Sequence, residues 1–197
     1  MSKTLFSLFI AAMTALLSLP LHAQSADKIY RQGKQLYDAG QYSEAVPLLK
    51  TAADKGHKKA LYRLGRCYTK GNGVKKDLRM AFAYYSKAAE QNYHKAQYRM
   101  GKCYKDGKGV QKDKKKAFHY FQLAANQEYA DAEYQLGKCY FKGKGTDADK
   151  SLAKKWLLRA VRNPKGGDDI LRKLRTDASA GDEDAKAMLQ LIGKAKH

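Results

Sequence analysis

Small and apolar residues recur along the chain at the three- and four-residue intervals of a buried helical stripe. Ala60, Leu64, Cys67 and Tyr68 follow this spacing, while polar and charged residues occupy most positions between them. A Gly-x-Gly loop comes next, and a second stripe of the same kind runs over residues 81–89. The pattern predicts two helices joined by a short loop, each with one apolar face.

This helix pair is repeated along the chain. Ten residue types of the first copy return at the same places in two further copies, with a spacing of 36 residues. A strict period of this length is typical of a solenoid, because one helix pair must bury its apolar face on its neighbours. We therefore predict an all-α fold, a right-handed α-α superhelix of stacked helical hairpins. The ten positions of the first copy are Ala60, Tyr62, Gly65, Cys67, Tyr68, Gly71, Gly73, Asp77, Ala81 and Ala88.

The first residues of the chain have the pattern of a secretory signal peptide. A short charged start is followed by a fifteen-residue apolar run, Leu5 to Leu19, then by Pro20 and the small residue Ala23. The run is short for a membrane span, which needs roughly 20 apolar residues, although an uncleaved anchor remains an alternative. We expect cleavage near Ala23 and a protein that is periplasmic or secreted.

Basic residues dominate the composition and are unevenly distributed. The formal net charge of the chain is +20. Residues 58–116 contain 18 Lys and Arg against 4 Asp and Glu, whereas the two kinds nearly balance after Asn163. This asymmetry predicts a basic surface on one part of the molecule, suited to an anionic partner.

The repeated residues resemble the Sel-one-like repeat family, a member of the tetratricopeptide-like superfamily. The resemblance implies an α-solenoid whose first helices line a concave face that holds other proteins. Some exported members rich in paired cysteines bind or hydrolyse β-lactams, but this chain has one Cys per repeat. The matching residues of the first copy are Ala60, Leu64, Gly65, Tyr68, Gly71, Gly73, Val74, Asp77, Ala81, Ala88 and Ala89.

With this resemblance the chain divides into six parts. The helix pair before the first long copy lacks a Gly-x-Gly loop and looks like a plain tetratricopeptide unit. The predicted parts are a signal peptide at 1–23, a tetratricopeptide-like pair at 24–57, repeats at 58–93, 94–129 and 130–163, and capping helices at 164–197.

The motifs that could carry chemistry are weak. Ser151 and Lys154 form a Ser-x-x-Lys motif, but the Ser-Asp-Asn and Lys-Thr-Gly elements that such sites need are absent. The cysteines could act as nucleophiles with a histidine base (His57, His94 or His119), yet a Cys on an apolar stripe is usually a small buried hydrophobe. No His pair has metal-ligand spacing. We therefore predict no enzymatic activity, no cofactor and no metal.

The same reasoning predicts that the cysteines stay reduced. They occupy one equivalent position per repeat, and neighbouring helices lie roughly 8–10 Å apart. A disulfide needs Cα atoms within about 7 Å.

The outward face of each first helix carries the candidate binding residues. In each unit a tyrosine precedes a basic residue by one turn, as Tyr62 precedes Arg66, so stacking would align these pairs in a row. Tyr and Arg are frequent interface anchors. The alternative is a solvated helix face whose tyrosines pack between repeats, and the sequence leaves both open. The predicted partner-binding residues are Tyr62, Arg63, Arg66, Tyr98, Arg99, Lys102, Tyr134 and Lys138.

Three functions are compatible with these features. The first is an exported, non-catalytic scaffold that holds a protein or peptide of acidic character, with no small-molecule substrate. The second is a peripheral binder of anionic envelope components, such as lipid headgroups or a phosphorylated polysaccharide. The third is a β-lactam-binding or hydrolysing enzyme. Nucleic acid fits the charge, but export disfavours it as the main target.

Overall fold

The computed structural model describes residues 25–193, so the predicted signal peptide lies outside the described residues. Ten helices and no strand are present in this range. They are α1 (Ala26–Asp38), α2 (Tyr42–Asp54), α3 (Lys58–Lys70), α4 (Leu78–Glu90), α5 (His94–Asp106), α6 (Lys114–Ala125), α7 (Ala130–Lys142), α8 (Lys150–Arg162), α9 (Gly167–Ser179) and α10 (Glu183–Gly193).

The helices pack as successive pairs. Helix α1 packs on α2, α3 on α4, α5 on α6 and α7 on α8, while α2–α3, α4–α5 and α6–α7 join one pair to the next. Helices α9 and α10 both close on α8, and α9 also reaches α7. This arrangement confirms the predicted all-α solenoid.

Each long loop begins and ends with the predicted local structure. Gly71 ends α3 in a left-handed conformation, with φ of 80°, which an L side chain adopts only with strain. Asp77 then caps α4, because its carboxylate accepts hydrogen bonds from the backbone N–H groups of Arg79 and Met80. Asp113 and Asp149 cap α6 and α8 in the same way.

A glycine on each first helix admits a large side chain from the second helix of its own pair. A Cβ placed on Gly101 would lie 2.6 Å from the ring of Phe121, closer than real Cβ contacts. Gly65 faces Tyr85 and Gly137 faces Leu157 in the same manner. The repeated glycine therefore lets the two helices approach closely.

The second glycine of each Gly-x-Gly loop contacts the preceding pair. Gly109 has φ of 74°, and a Cβ on it would overlap the carbonyl oxygen of Leu78, the first residue of α4. Gly73 and Gly145 meet Tyr42 and Lys114 in equivalent positions. The loops therefore help to set the spacing between layers.

All three cysteines are free and lie in the interior. Cys67 is fully buried, and Cys103 and Cys139 are 8% exposed. Burial raises the pKa of the Cys103 and Cys139 thiols to about 11 and raises that of Cys67 as well. At neutral pH the thiols are protonated, which makes them poor nucleophiles. Among residues 25–193, no helix combines the length and apolar character needed to cross a membrane.

Candidate partner-binding face

The structure brings the eight predicted residues to one surface, formed by the outward side chains of α3, α5 and α7 and called here the first-helix face. Seven of them are half-buried, and Tyr134 is buried, with 6% of its surface exposed. Their contacts divide them into two groups. Most of the tyrosines and arginines contact neighbouring pairs, whereas each lysine lies near a tyrosine of its own helix.

The tyrosines of α3 and α5 pack between layers. The ring of Tyr98 lies 5.9 Å from that of Phe121 in its own pair and 5.3 Å from that of Tyr129 in the next pair. Tyr62 contacts Tyr85 and Tyr93 in the equivalent way. Burial, with a smaller contribution from Asp131, raises the pKa of Tyr98 to about 12. These rings therefore contribute to the core as well as to the surface.

Three arginines reach the preceding pair. The Nε of Arg63 donates a hydrogen bond to the Tyr30 hydroxyl at 3.2 Å, and its Nη1 lies 3.1 Å from a carboxylate oxygen of Asp38. Arg99 likewise lies close to Tyr62 of the pair before it. The guanidinium of Arg66 lies 5.7 Å from the ring centre of Tyr37. The expected in-repeat pairing of Tyr62 with Arg66 is therefore replaced by a contact across layers.

Two lysines pair with tyrosines of their own helix, as the spacing predicts. The Nζ of Lys102 lies 5.7 Å from the ring centre of Tyr98, and that of Lys138 lies 5.2 Å from the ring centre of Tyr134. Within residues 25–193, neither ammonium group has a carboxylate at ion-pair distance. Burial, followed by the neighbouring cation Arg99, lowers the pKa of Lys102. Such uncompensated cations favour an anionic partner.

A cavity of about 520 Å³ lies on the first-helix face between α5, α7 and α9. Tyr98, Lys102 and Tyr134 line it together, so three of the predicted residues share one site. Helix α9 and the segment before it form the opposite wall through Lys165 and Lys173. Sequence reasoning missed both of these lysines. They lie outside the three repeats, so they have no equivalent position in another copy, and only the packing of α9 on α7 brings them to this surface.

A larger cavity of about 840 Å³ continues this surface past the N-terminal ends of α5 and α7. It shares Lys95, Tyr129 and Lys165 with the smaller one and adds Lys59 and His94. The two cavities form a continuous basic groove, which also holds the acidic residues Asp131 and Asp169 on the side of the smaller cavity. Its main lining residues are Lys59, His94, Lys95, Tyr98, Lys102, Tyr129, Tyr134 and Lys165.

His94 lines the larger cavity of the basic groove. Its ring lies 5.4 Å from that of Tyr93 and 5.2 Å from that of Tyr129. Burial lowers the pKa of His94, and the nearby cations Lys95, Lys165 and Lys58 lower it further. The clustering of like charges around this ring makes the groove attractive to carboxylates or phosphates.

One wall of the larger cavity is fixed by a buried carboxylate. Glu133 is fully buried, and one carboxylate oxygen lies 2.5 Å from the Nε of Arg159 while the other accepts a hydrogen bond from Asn163. In the preceding repeat Gln97 takes the place of Glu133 and bonds to Asn92 and Gln127. The two acidic residues that line this cavity, Glu128 and Glu133, both pair with Arg159 rather than with its lysines.

The family model of the Sel1 repeat matches residues 58–93, 94–129 and 130–164, which together make up more than half of the chain. The chain belongs to the Sel1 repeat family. The family assignment confirms the resemblance drawn from the repeated residues. Sel1 repeat proteins generally mediate protein–protein interactions, and the repeat scaffold is typically non-catalytic.

Solved structures of other Sel1 repeat proteins share this fold. A Sel1 repeat protein from Oxalobacter formigenes is 29% identical, with a TM-score of 0.66, over 80% of this chain and 73% of that one. A protective antigen of uropathogenic Escherichia coli, c5321, is 24% identical, with a TM-score of 0.69, over 88% of this chain and 46% of that one. The chain thus spans less than half of the antigen. No curated protein sequence matches this Sel1 repeat chain.

Nothing in the described part of the chain forms a metal site. No cluster of three or more His, Cys, Asp or Glu side chains that could hold a metal ion occurs within residues 25–193. The Ser151 hydroxyl of the Ser-x-x-Lys motif lies on the exposed first turn of α8.

Proposed function

We propose that this protein is an exported, non-catalytic scaffold that holds an acidic segment of a protein partner in the basic groove. The observation that carries the proposal is that Lys95, Lys102 and Lys165 lie beside an aromatic floor and have no carboxylate at ion-pair distance among residues 25–193. Export is inferred from the signal-peptide pattern of residues 1–23.

The groove offers two kinds of contact to such a segment. Tyr98, Tyr129 and Tyr134 supply rigid apolar area, which stabilises a bound chain with little loss of side-chain freedom. The lysines supply charge that attracts carboxylates and orients the segment along the groove. A segment rich in Asp or Glu with interspersed apolar residues satisfies both kinds of contact.

Charge reversal in the groove tests the proposal. The variant Lys95→Glu/Lys165→Glu changes two exposed groove lysines, and Lys50→Glu/Lys87→Glu makes the same change on the exposed faces of α2 and α4. Pull-downs from an envelope extract, with every captured protein quantified, should show acidic proteins retained by the wild type and the control but lost by the groove variant. Capture should also fall as salt is raised.

Two results would contradict this function. Equal recovery of every species by the groove variant and the wild type would exclude the groove as the binding site. If capture depends on the total charge alone, both double variants should lose it equally. That result would favour binding to an anionic envelope surface.

The second candidate is a peripheral binder of an anionic envelope surface. It is favoured by the exposed lysines at the loop edge of the second and third long repeats, including Lys108, Lys112, Lys115 and Lys144. Co-sedimentation with phosphatidylglycerol vesicles separates the two functions. Strong vesicle binding without a captured protein would favour the membrane surface.

A further inference from the structure

A second charged cavity lies outside the basic groove, between the loop ends of the second and third long repeats. Its volume is about 320 Å³, and its floor is formed by Ala117, Phe121 and Cys139. One acidic residue, Asp106, stands among its lining residues. Six lysines surround the opening: Lys105, Lys112, Lys114, Lys138, Lys142 and Lys144.

Most of this positive charge is uncompensated. Lys105 lies 3.6 Å from Asp106, and Lys142 is paired with Asp184. The other four lysines have no carboxylate at ion-pair distance within the described range 25–193. Burial lowers the pKa of Lys138, and the adjacent cations Lys142 and Lys105 lower it further. A bound anion would relieve the repulsion that these neighbours impose on one another.

The repeat supplies an internal comparison. The equivalent cavity between the first and second long repeats has a volume of only about 80 Å³. There Thr69 and Leu78 stand in place of Lys105 and Lys114, and Asp106 stands in place of Lys142. The same fold position is therefore nearly closed, with three cations and one carboxylate, in one copy, and open, with six lysines and one carboxylate, in the next.

Three residue differences accompany the difference in volume. In the closed copy the long side chain of Arg99 occupies the position of Gln135, and Thr69 and Tyr85 close the floor with a hydrogen bond of 3.0 Å between their hydroxyls. In the open copy Phe121 replaces Tyr85 and has no hydroxyl to make this bond. The open cavity thus arises from specific residues of the third repeat and its neighbour.

We propose that this lysine cavity binds a compact, multiply charged phosphate anion of about the size of pyrophosphate. Several mobile ammonium groups can converge on phosphate oxygens as point charges, and their number favours a polyanion over a single carboxylate. The volume lies at the lower end of the range for small-ligand sites, roughly 300 Å³. This inference does not depend on the protein partner, because Lys105 and Lys114 do not line the groove.

Isothermal titration of the purified protein with inorganic pyrophosphate tests the cavity directly. The variant Lys105→Thr/Lys114→Leu converts two positions to the residues of the closed copy, which the fold already accepts there. We expect its affinity to fall by about tenfold or more, since two charge-assisted contacts are lost. Lys50→Gln/Lys87→Gln removes the same charge elsewhere and should bind like the wild type.

The conservative variant Lys144→Gln provides a second measurement on an exposed residue and should also weaken binding. Acetate at matched ionic strength serves as the control anion. Equal heats for acetate and pyrophosphate would overturn the proposal, as would unchanged affinity in Lys105→Thr/Lys114→Leu. Circular dichroism of each variant confirms that the comparison is made between folded proteins.

Discussion

Tyrosine and arginine side chains on the first-helix face act in the stack as well as at the surface. Tyr62 and Tyr98 each contact rings in two layers, and Arg63 and Arg99 each reach a tyrosine of the preceding pair. The sequence placed these residues on one helix face but left open which neighbours they meet. Which neighbours they contact depends on how successive helix pairs are positioned on one another, because a side chain that points away from its own pair can be covered by the following pair.

The helix glycines give the first prediction. Replacing Gly101 with Ala should lower the free energy of unfolding by about 1–2 kcal/mol, because overpacking against Phe121 outweighs the gain in helix propensity. Urea denaturation measures the change. Gly193→Ala, where no heavy atom lies within 4 Å of the added Cβ, should leave stability within about 0.5 kcal/mol. Equal effects of the two substitutions would contradict the packing described.

His94 gives a prediction on pH. Its pKa is lowered from the ordinary 6.5, so below about pH 6.5 the unfolded chain takes up the proton first and the folded state loses stability. Above that pH both states are neutral at His94 and its contribution is complete. Tyr93, Tyr129, Lys58, Lys95 and Lys165 are the neighbours that set this shift.

The test compares two histidine variants. His94→Gln should lose less stability than the wild type between about pH 7 and about pH 5 in urea denaturation. The exposed His119, changed to Gln, should keep the wild-type pH dependence. A wild-type slope in His94→Gln would show that His94 does not govern it.

At the scale of helices and loops, the sequence predicted nearly the whole structure. The left-handed glycines and the capping aspartates fall where the repeat placed them, because caps and turns depend on local residues. The groove was predicted only in part. Lys102 and Tyr134 were identified because they occupy equivalent positions in successive repeats. Lys165 comes from a segment outside the repeats, and its position follows only from the packing of α9.

Alanine substitutions at the two glycines of one loop distinguish the cost of backbone strain from the cost of lost contact between layers. Gly107 and Gly109 both have positive φ, of 72° and 74°, so alanine costs about 1–2 kcal/mol at either. Only at Gly109 would the Cβ also meet the backbone of Leu78 in the preceding pair. Urea denaturation should therefore show a clearly larger loss for Gly109→Ala, and equal losses would mean that the loop does not set the layer spacing.

At the scale of the whole molecule, each pair contacts mainly its neighbours, so the last pair must cover an exposed apolar end. Ile170, Leu174 and Met188 of α9 and α10 are buried, in the same cluster as Leu157 of α8. These helices also supply one wall of the groove. The C-terminal pair therefore covers the end of the core and also forms one wall of the proposed binding groove.

Deletion of residues 164–197 should expose the apolar surface of α8, which costs roughly 1.5–3 kcal/mol for each large side chain left uncovered. We expect a lower Tm and self-association in size-exclusion chromatography with light scattering. Deletion of 194–197 alone keeps both helices and provides the control. A monomeric shortened protein with the wild-type Tm would contradict the capping role.

Because contacts run from one layer to the next, the molecule can change in length by whole units. In a chain with a duplicate of residues 94–129 inserted after residue 129, the ring of Tyr98 would keep its contact with Tyr129, and its hydroxyl would meet the Arg99 of the duplicate. Each junction of the natural chain would thus be reproduced by residues already present. The reach of this protein along a partner is adjustable in steps of one helical hairpin, without redesign of any other part.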